Sequence, residues 1–151
     1  MSDTDWDYMV IWAATNGMPE RLQEALDHGA DCNAKDYNGS AAIIWGAFNG
    51  HADCVQMLID AKANLNETDN IGRTAAMWAA HEGHAECLSC LIDAKADIQT
   101  TDNIGRTALD IAKKKQNNKC AGLLQQAMSQ QSFNQDKRQN FRKYLRSRRR
   151  P

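Results

Sequence analysis

The chain has 151 residues, 42% hydrophobic and 25% charged, which suits one ordinary domain or a short repeat array. No apolar run approaches the roughly 18 residues that a membrane-spanning helix needs, and two prolines exclude collagen-like or PxxP-type architectures. The formal net charge of −1 hides a division: residues 1–128 hold 10 Lys+Arg against 18 Asp+Glu, whereas residues 129–151 hold eight basic residues and one acid.

The N-terminus, Met1 to Tyr8, is acidic and lacks the basic-then-apolar pattern of a secretion leader. Five cysteines without such a leader point to reduced thiols, so the expected compartment is the cytoplasm, with the nucleus as the alternative.

A period of 33 residues organises the body. Asp3 opens a degenerate first unit, in which Trp6 stands where later units carry a turn glycine and Met18-Pro19 replaces their Gly-His. A regular hairpin is not expected there, although Pro19 suits the first turn of the helix that follows. In the second unit, Asp36-Tyr-Asn-Gly-Ser-Ala-Ala-Ile-Ile-Trp-Gly-Ala-Phe-Asn-Gly-His51 aligns with Asp69-Asn-Ile-Gly-Arg-Thr-Ala-Ala-Met-Trp-Ala-Ala-His-Glu-Gly-His84 of the third. Asp102-Asn-Ile-Gly-Arg-Thr-Ala-Leu-Asp-Ile-Ala begins the fourth. Trp12, Trp45 and Trp78 repeat at the same spacing, as do Cys54, Cys87 and Cys120, and Leu58, Leu91 and Leu124.

Each unit reads as turn, helix, turn, helix. In the third, Asp69 to Gly72 is a turn signal, with Gly72 supplying positive φ, and Thr74 is the N-cap of a helix from Ala75 to His81. Glu82-Gly83 breaks that helix. A second begins near His84, with Glu86 in its first turn and Ala85, Leu88, Leu91 and Ile92 on one apolar face. One unit cannot bury that face alone, so the units must stack. In the fourth, Gln116-Asn117 replaces Gly-His and Lys113, Lys114 and Lys115 close the first helix, giving the polar end that a stack requires.

The pattern D-x-x-G-x-T-A-x-x-x-A-A-x-x-G-H, an apolar second helix and then A-[DN]-x-N resembles the ankyrin repeat over roughly residues 3–128. The resemblance implies an all-α solenoid of four stacked helix–turn–helix repeats joined by short β-hairpin or turn connections. Its units are residues 3–35, 36–68, 69–101 and 102–128, the first and last acting as caps, with a polar, basic tail over 129–151. The family's T-P-L-H is replaced by Ala41-Ala-Ile-Ile44, Thr74-Ala-Ala-Met77 and Thr107-Ala-Leu-Asp110, and its glycine after the second helix survives as Gly29 but becomes Lys62 and Lys95. A left-handed cap at those lysines would cost roughly 1 kcal/mol.

What the resemblance implies for function is a non-catalytic adaptor or scaffold that binds another protein through hairpin tips and a concave inner-helix face. Carried over by position, the contact residues are Tyr37, Asn38, Ser40, Phe48 and Asn49 in the second unit. In the third they are Asn70, Ile71, Arg73, His81 and Glu82, and in the fourth Asn103, Ile104, Arg106, Lys114 and Lys115. Tyr37, Phe48, Ile71 and Arg73 are favoured, because aromatic and arginine anchors dominate interfaces. For Ile71 and Ile104 the alternative is packing of hairpin on hairpin.

Other chemistry is sparse. Cys87-Leu-Ser-Cys90 has neither an activating charge nor a second ligand pair, so Cys54, Cys87, Cys90 and Cys120 read as packing residues rather than redox or zinc positions. The tryptophan row reads as inter-repeat core, and His51 and His84 as structural. No nucleophile–base–acid set, phosphate loop or H-E-x-x-H is present. The expectation is a monomer with no enzyme activity, cofactor, metal or small-molecule substrate.

The tail begins glutamine-rich and ends basic. Phe141, Tyr144 and Leu145 share one face of a possible short helix, flanked by Arg142, Lys143, Arg146, Arg148, Arg149 and Arg150. Such a segment suits an acidic protein surface, nucleic acid, anionic membrane or a nuclear address, and its attraction to the acidic body would let it fold back on its own chain.

Overall fold

The computed structural model describes residues 5–149. Eight helices, among the described residues, form four successive layers of two. The layers are α1 (Trp6–Asn16) with α2 (Pro19–Asp27), α3 (Ala42–Asn49) with α4 (Ala52–Asp60), α5 (Ala75–Glu82) with α6 (Ala85–Asp93), and α7 (Ala108–Lys114) with α8 (Asn118–Arg148). The odd-numbered helices pack in series as an inner row, α1 on α3, α3 on α5, α5 on α7; the even-numbered helices form the outer row. Three hairpin tips, at residues 36–40, 69–73 and 102–106, connect the layers, and at the first of them Lys35 and Ala41 form an isolated antiparallel bridge.

Apart from α8, no helix exceeds 11 residues, too short to be stable in isolation, so packing must hold them. The inner row is lined by buried alanines, including Ala42, Ala47, Ala75, Ala79, Ala80 and Ala112, which let neighbouring backbones approach closely. The outer row contributes fully buried leucines, Leu22, Leu58, Leu88, Leu91 and Leu124, which meet Val10, Ile43, Met77 and Ile111 of the inner row in one core. Cys54, Cys87 and Cys120 lie in the same core, while Cys32 and Cys90 are half-buried. Burial pushes the Cys87 thiol up to about 12, which keeps it protonated and unreactive at neutral pH.

Capping chemistry explains the boundaries. Thr74 accepts the Met77 amide at 3.3 Å, and Thr107 and Asp110 form a reciprocal capping box, so the aspartate that displaces the family's histidine keeps a capping role. Ala41 fills the same slot before α3 with no side-chain cap. After α4 and α6 the chain turns left-handed at Lys62 and Lys95, with φ of 65° and 68°. Gly50 ends α3 at φ 77°, and a Cβ there would come within 2.7 Å of the His84 ring. The Gly-His pair is therefore an inter-layer device: the histidine of one unit lies over the glycine of the unit before. In the last layer Asn117 takes over, donating its Nδ2 to the carbonyls of Ala80 and His81 at 2.7 and 3.0 Å, while Gln116 supplies the left-handed residue.

At the two ends the chain departs from the regular unit. Asp5 caps α1 by accepting the Tyr8 amide at 3.0 Å, so helix occupies the place of a first hairpin. At the other end α8 runs for 31 residues with no break at 128/129, in place of a separate short tail helix. Burial stops there nonetheless: Ala127 is 7% exposed, and every residue from Ser129 to Arg149 is exposed. The tail is not folded back, because it continues an outer helix away from the stack, leaving Phe141 and Tyr144 exposed by 61% and 52%. The expected array start at residue 3 and Arg150 lie outside the described residues.

Candidate functional site

The inner face is built on three aspartates at the repeat spacing. Asp36 Oδ1 accepts the amides of Asn38 and Ser40 at 2.9 and 3.0 Å, which closes the hairpin tip, and its Oδ2 accepts the Trp45 indole at 2.6 Å. Asp69 repeats this with the amides of Ile71 and Arg73 and the Trp78 indole at 2.8 Å. In the fourth unit the tryptophan position is Ile111, and Asp102 turns instead to Arg106, whose Nε and Nη2 lie 3.1 and 3.0 Å from Oδ2. Burial opposes ionisation of Asp102, but the amides of Arg106 and Ile104 and the Arg106 guanidinium outweigh it and hold its carboxyl below the ordinary value.

These indole–carboxylate bonds hold the tryptophans at the surface of the inner row rather than deep in the core. Trp45 and Trp78 are half-buried and Trp12 is 38% exposed, so the row expected to be core is its edge. Phe48 bridges them edge-on, with ring centroids 5.8 Å from Trp45 and 5.1 Å from Trp78, and the His81 ring lies 5.3 Å beyond. Such edge-to-face contacts set the rings at steep angles to one another.

Between the rings lie three clefts that share walls. A cleft of about 430 Å³ lies among Asp5, Asp7, Tyr8, Ile11, Ala34, Lys35, Asp36 and Tyr37, with the Lys35 ammonium paired to Glu67. Tyr8, Ile11 and Asp36 also line the next, of about 240 Å³, with Trp12 and Trp45. Trp45 then walls a third of about 230 Å³ with Ser40, Ile44, Phe48, Asp69 and Trp78. Together they make one groove across the first three layers, lined by aromatic rings, by the carboxylates of Asp5, Asp7, Asp36 and Asp69, and at its first cleft by Lys35. A groove of this kind suits a cation with a flat or apolar stem. Arg73 already shows the contact from within the chain, its guanidinium 4.5 Å from the Trp78 ring centre.

Of the carried-over residues, Tyr37 and Phe48 face this groove. Arg73 is only 7% exposed, held over Trp78 with Nε 3.7 Å from Asp102 Oδ2. Ser40 is buried in the cleft wall. Asn49 donates to the Thr15 carbonyl and Asn103 to that of Asn70, so both tie layers together; Asn103 also donates its amide to Ile71. His81 pairs with Glu82 at 2.7 Å at the groove's far end. Asn38, Asn70, Lys114 and Lys115 are exposed beyond it, as are Ile71 (45%) and Ile104 (71%), while Arg106 is spent on Asp102. Tyr8, Trp12, Trp45, Trp78 and Asp36 were not singled out as contacts. The signal in the sequence is an aspartate nine residues before each of Trp12, Trp45 and Trp78, because a half-buried indole N–H needs an acceptor; the first of these aspartates, Asp3, lies outside the described residues.

Along the tail, Phe133 carries Lys137 over its ring at 4.6 Å and Tyr144 carries Arg148 at 5.7 Å. Phe141 and Leu145 are exposed on the same side of α8, and Arg142, Lys143, Arg146 and Arg149 are exposed around it. No group of three or more His, Cys, Asp and Glu side chains able to hold a metal comes together among the described residues, and no described helix is long and apolar enough to cross a membrane.

Stacked two-helix layers joined by hairpin tips define a repeat solenoid whose working part is a surface. Family models described as ankyrin repeats match residues 10–59 and 61–136, and the chain belongs to the ankyrin-repeat family. Members of that family are in general protein–protein interaction modules and typically non-catalytic. A search of curated proteins finds no match to the chain.

Proposed function

We propose that this protein is a non-catalytic adaptor that binds a basic, aromatic-bearing segment of another protein in the groove of its inner face. The observation that carries the reading is the continuity of the three clefts from Asp5 to Trp78, lined by aromatic rings and carboxylates. Arginine satisfies both features at once, stacking on an indole while its N–H groups reach a carboxylate. Tyr8, Trp12, Trp45, Phe48 and Trp78 provide the stacking surface, and Tyr37, fully exposed at the first hairpin tip, lines the first cleft.

The test is selection of a displayed random-peptide library on the full chain. Selected peptides are expected to be rich in arginine and aromatic residues and to lose binding to a Tyr8→Ala/Trp12→Ala variant of unchanged melting temperature. Selection of acidic peptides, or of peptides indifferent to that variant, contradicts the reading.

A second reading rests on α8 alone: its exposed basic, aromatic turns suit a polyanion or anionic membrane. In that case affinity for heparin falls with salt at a log–log slope of roughly 0.7–0.9 per charge neutralised and is lost with Arg142, Arg146 and Arg149.

A further inference from the structure

The groove and the tail are complementary, and the fold keeps them apart within one chain. Residues 1–101 carry 5 Lys+Arg against 16 Asp+Glu, a balance of −11, whereas residues 102–151 carry 13 Lys+Arg against 3 Asp+Glu, a balance of +10. Charge is thus polarised along the stack, acidic over the layers that hold the groove and basic over the last layer and tail.

The tail is shaped as a ligand for such a groove. From Ser129 to Arg148 it is a helix of roughly 30 Å at 1.5 Å per residue, with Phe133, Phe141, Tyr144 and Leu145 exposed on one side and arginines around them. It grows from the fourth layer as the uninterrupted continuation of a packed outer helix, so reaching the first layer of its own chain would require breaking that helix. A second copy meets no such obstacle. Pairing of two tails has little to recommend it, since each sets seven described cations against the other's seven.

We propose that the basic, aromatic tail helix of one copy seats in the acidic, aromatic groove of a second copy. The inference rests on the groove being the binding face and names the occupant it takes when no other partner is present. The contact is heterologous, groove to tail, so it leaves a free groove at one end and a free tail at the other and propagates unless the ring closes. A partner that fills the groove would cap this growth, which couples partner capture to disassembly. The monomer expected from sequence is then the capped or high-salt form.

Sedimentation velocity on the full chain decides it. At low salt the wild type is expected to grow from monomer to dimer and beyond as concentration rises, and to return to monomer at about 0.5 M salt, where screening is shorter than about 5 Å. A tail variant (Phe141→Ala/Tyr144→Ala/Leu145→Ala) and a groove variant (Tyr8→Ala/Trp12→Ala) should each be monomeric alone. Mixed, they should form a 1:1 heterodimer that grows no further, since one good groove and one good tail remain. Phe48→Ala serves as a second groove variant should the first melt early. A wild type that stays monomeric overturns the proposal while the library result still stands for the groove. So does association that survives both groove variants, which would place tail on tail, or a tail that pellets with phosphatidylserine vesicles while the chain never self-associates.

Discussion

At the scale of single residues, one side chain per unit carries an unusual share of the order. Asp36 and Asp69 each close a hairpin tip with one oxygen and hold a tryptophan with the other, so hairpin and inner-face ring are set by the same carboxylate. Asp102 does the first job but has no tryptophan, and its second oxygen is met by Arg106. Its folded pKa is lowered, so the stabilisation it provides is fully present above the unfolded carboxylate value and is lost as pH falls through the folded one. Asp102→Asn is therefore expected to lower the melting temperature at pH 7. The gap from wild type should begin to narrow at about pH 4, the ordinary carboxylate value, and close only at lower pH, as the folded carboxyl itself protonates. A gap that is constant down to strong acid would assign the loss to packing instead of charge.

Among the elements, the helix ends are where this array gives up stability. Lys62 and Lys95 sit in the left-handed region that glycine occupies at Gly29, and nothing lies within 4 Å of a Cβ at that glycine. The lysines carry the backbone strain of that region. Lys62→Gly and Lys95→Gly should each raise stability by roughly 1 kcal/mol in denaturant melts, less whatever the lysine charge contributes at the helix C-terminus. Unchanged or lower midpoints would show that the charge matters more than the strain. The outer helices behave oppositely, with Leu58 and Leu91 fully buried between layers. Leu58→Ala or Leu91→Ala should cost about 2–5 kcal/mol, enough to unfold four marginal layers together. A melting curve matching wild type would contradict the packing.

For the whole molecule, the periodic skeleton is legible in the sequence because the same slots recur every 33 residues. Trp45 and Trp78, Leu58 and Leu91, and Gly50-His51 and Gly83-His84 identify equivalent positions whatever their roles. The roles were harder to read. A repeated tryptophan is apolar, and apolar periodicity alone cannot separate a core slot from the core's aromatic edge; the deciding partner, Asp36 or Asp69, recurs nine residues earlier but is shown to meet the indole only in the folded hairpin. The burial of Arg73 is likewise not legible, since a charged residue at a hairpin tip reads as exposed whereas Trp78 and Asp102 enclose it. The long α8 was hidden by its composition: its second half buries nothing, so no apolar period announces it.

The groove along the inner face is the centre of this account, and the four tryptophans supply an internal test of it. Trp12, Trp45 and Trp78 line the groove, whereas Trp6 is stacked on His28 at 3.9 Å and is absent from its walls. In a nitrogen-15 NMR titration of the full chain with the tightest peptide from the displayed library, the indole signals of Trp12, Trp45 and Trp78 are predicted to shift together and saturate at one equivalent. The Trp6 signal should stay in place. Movement of Trp6 alone, or saturation with all three groove indoles unmoved, would contradict the assignment of the inner face as the binding surface.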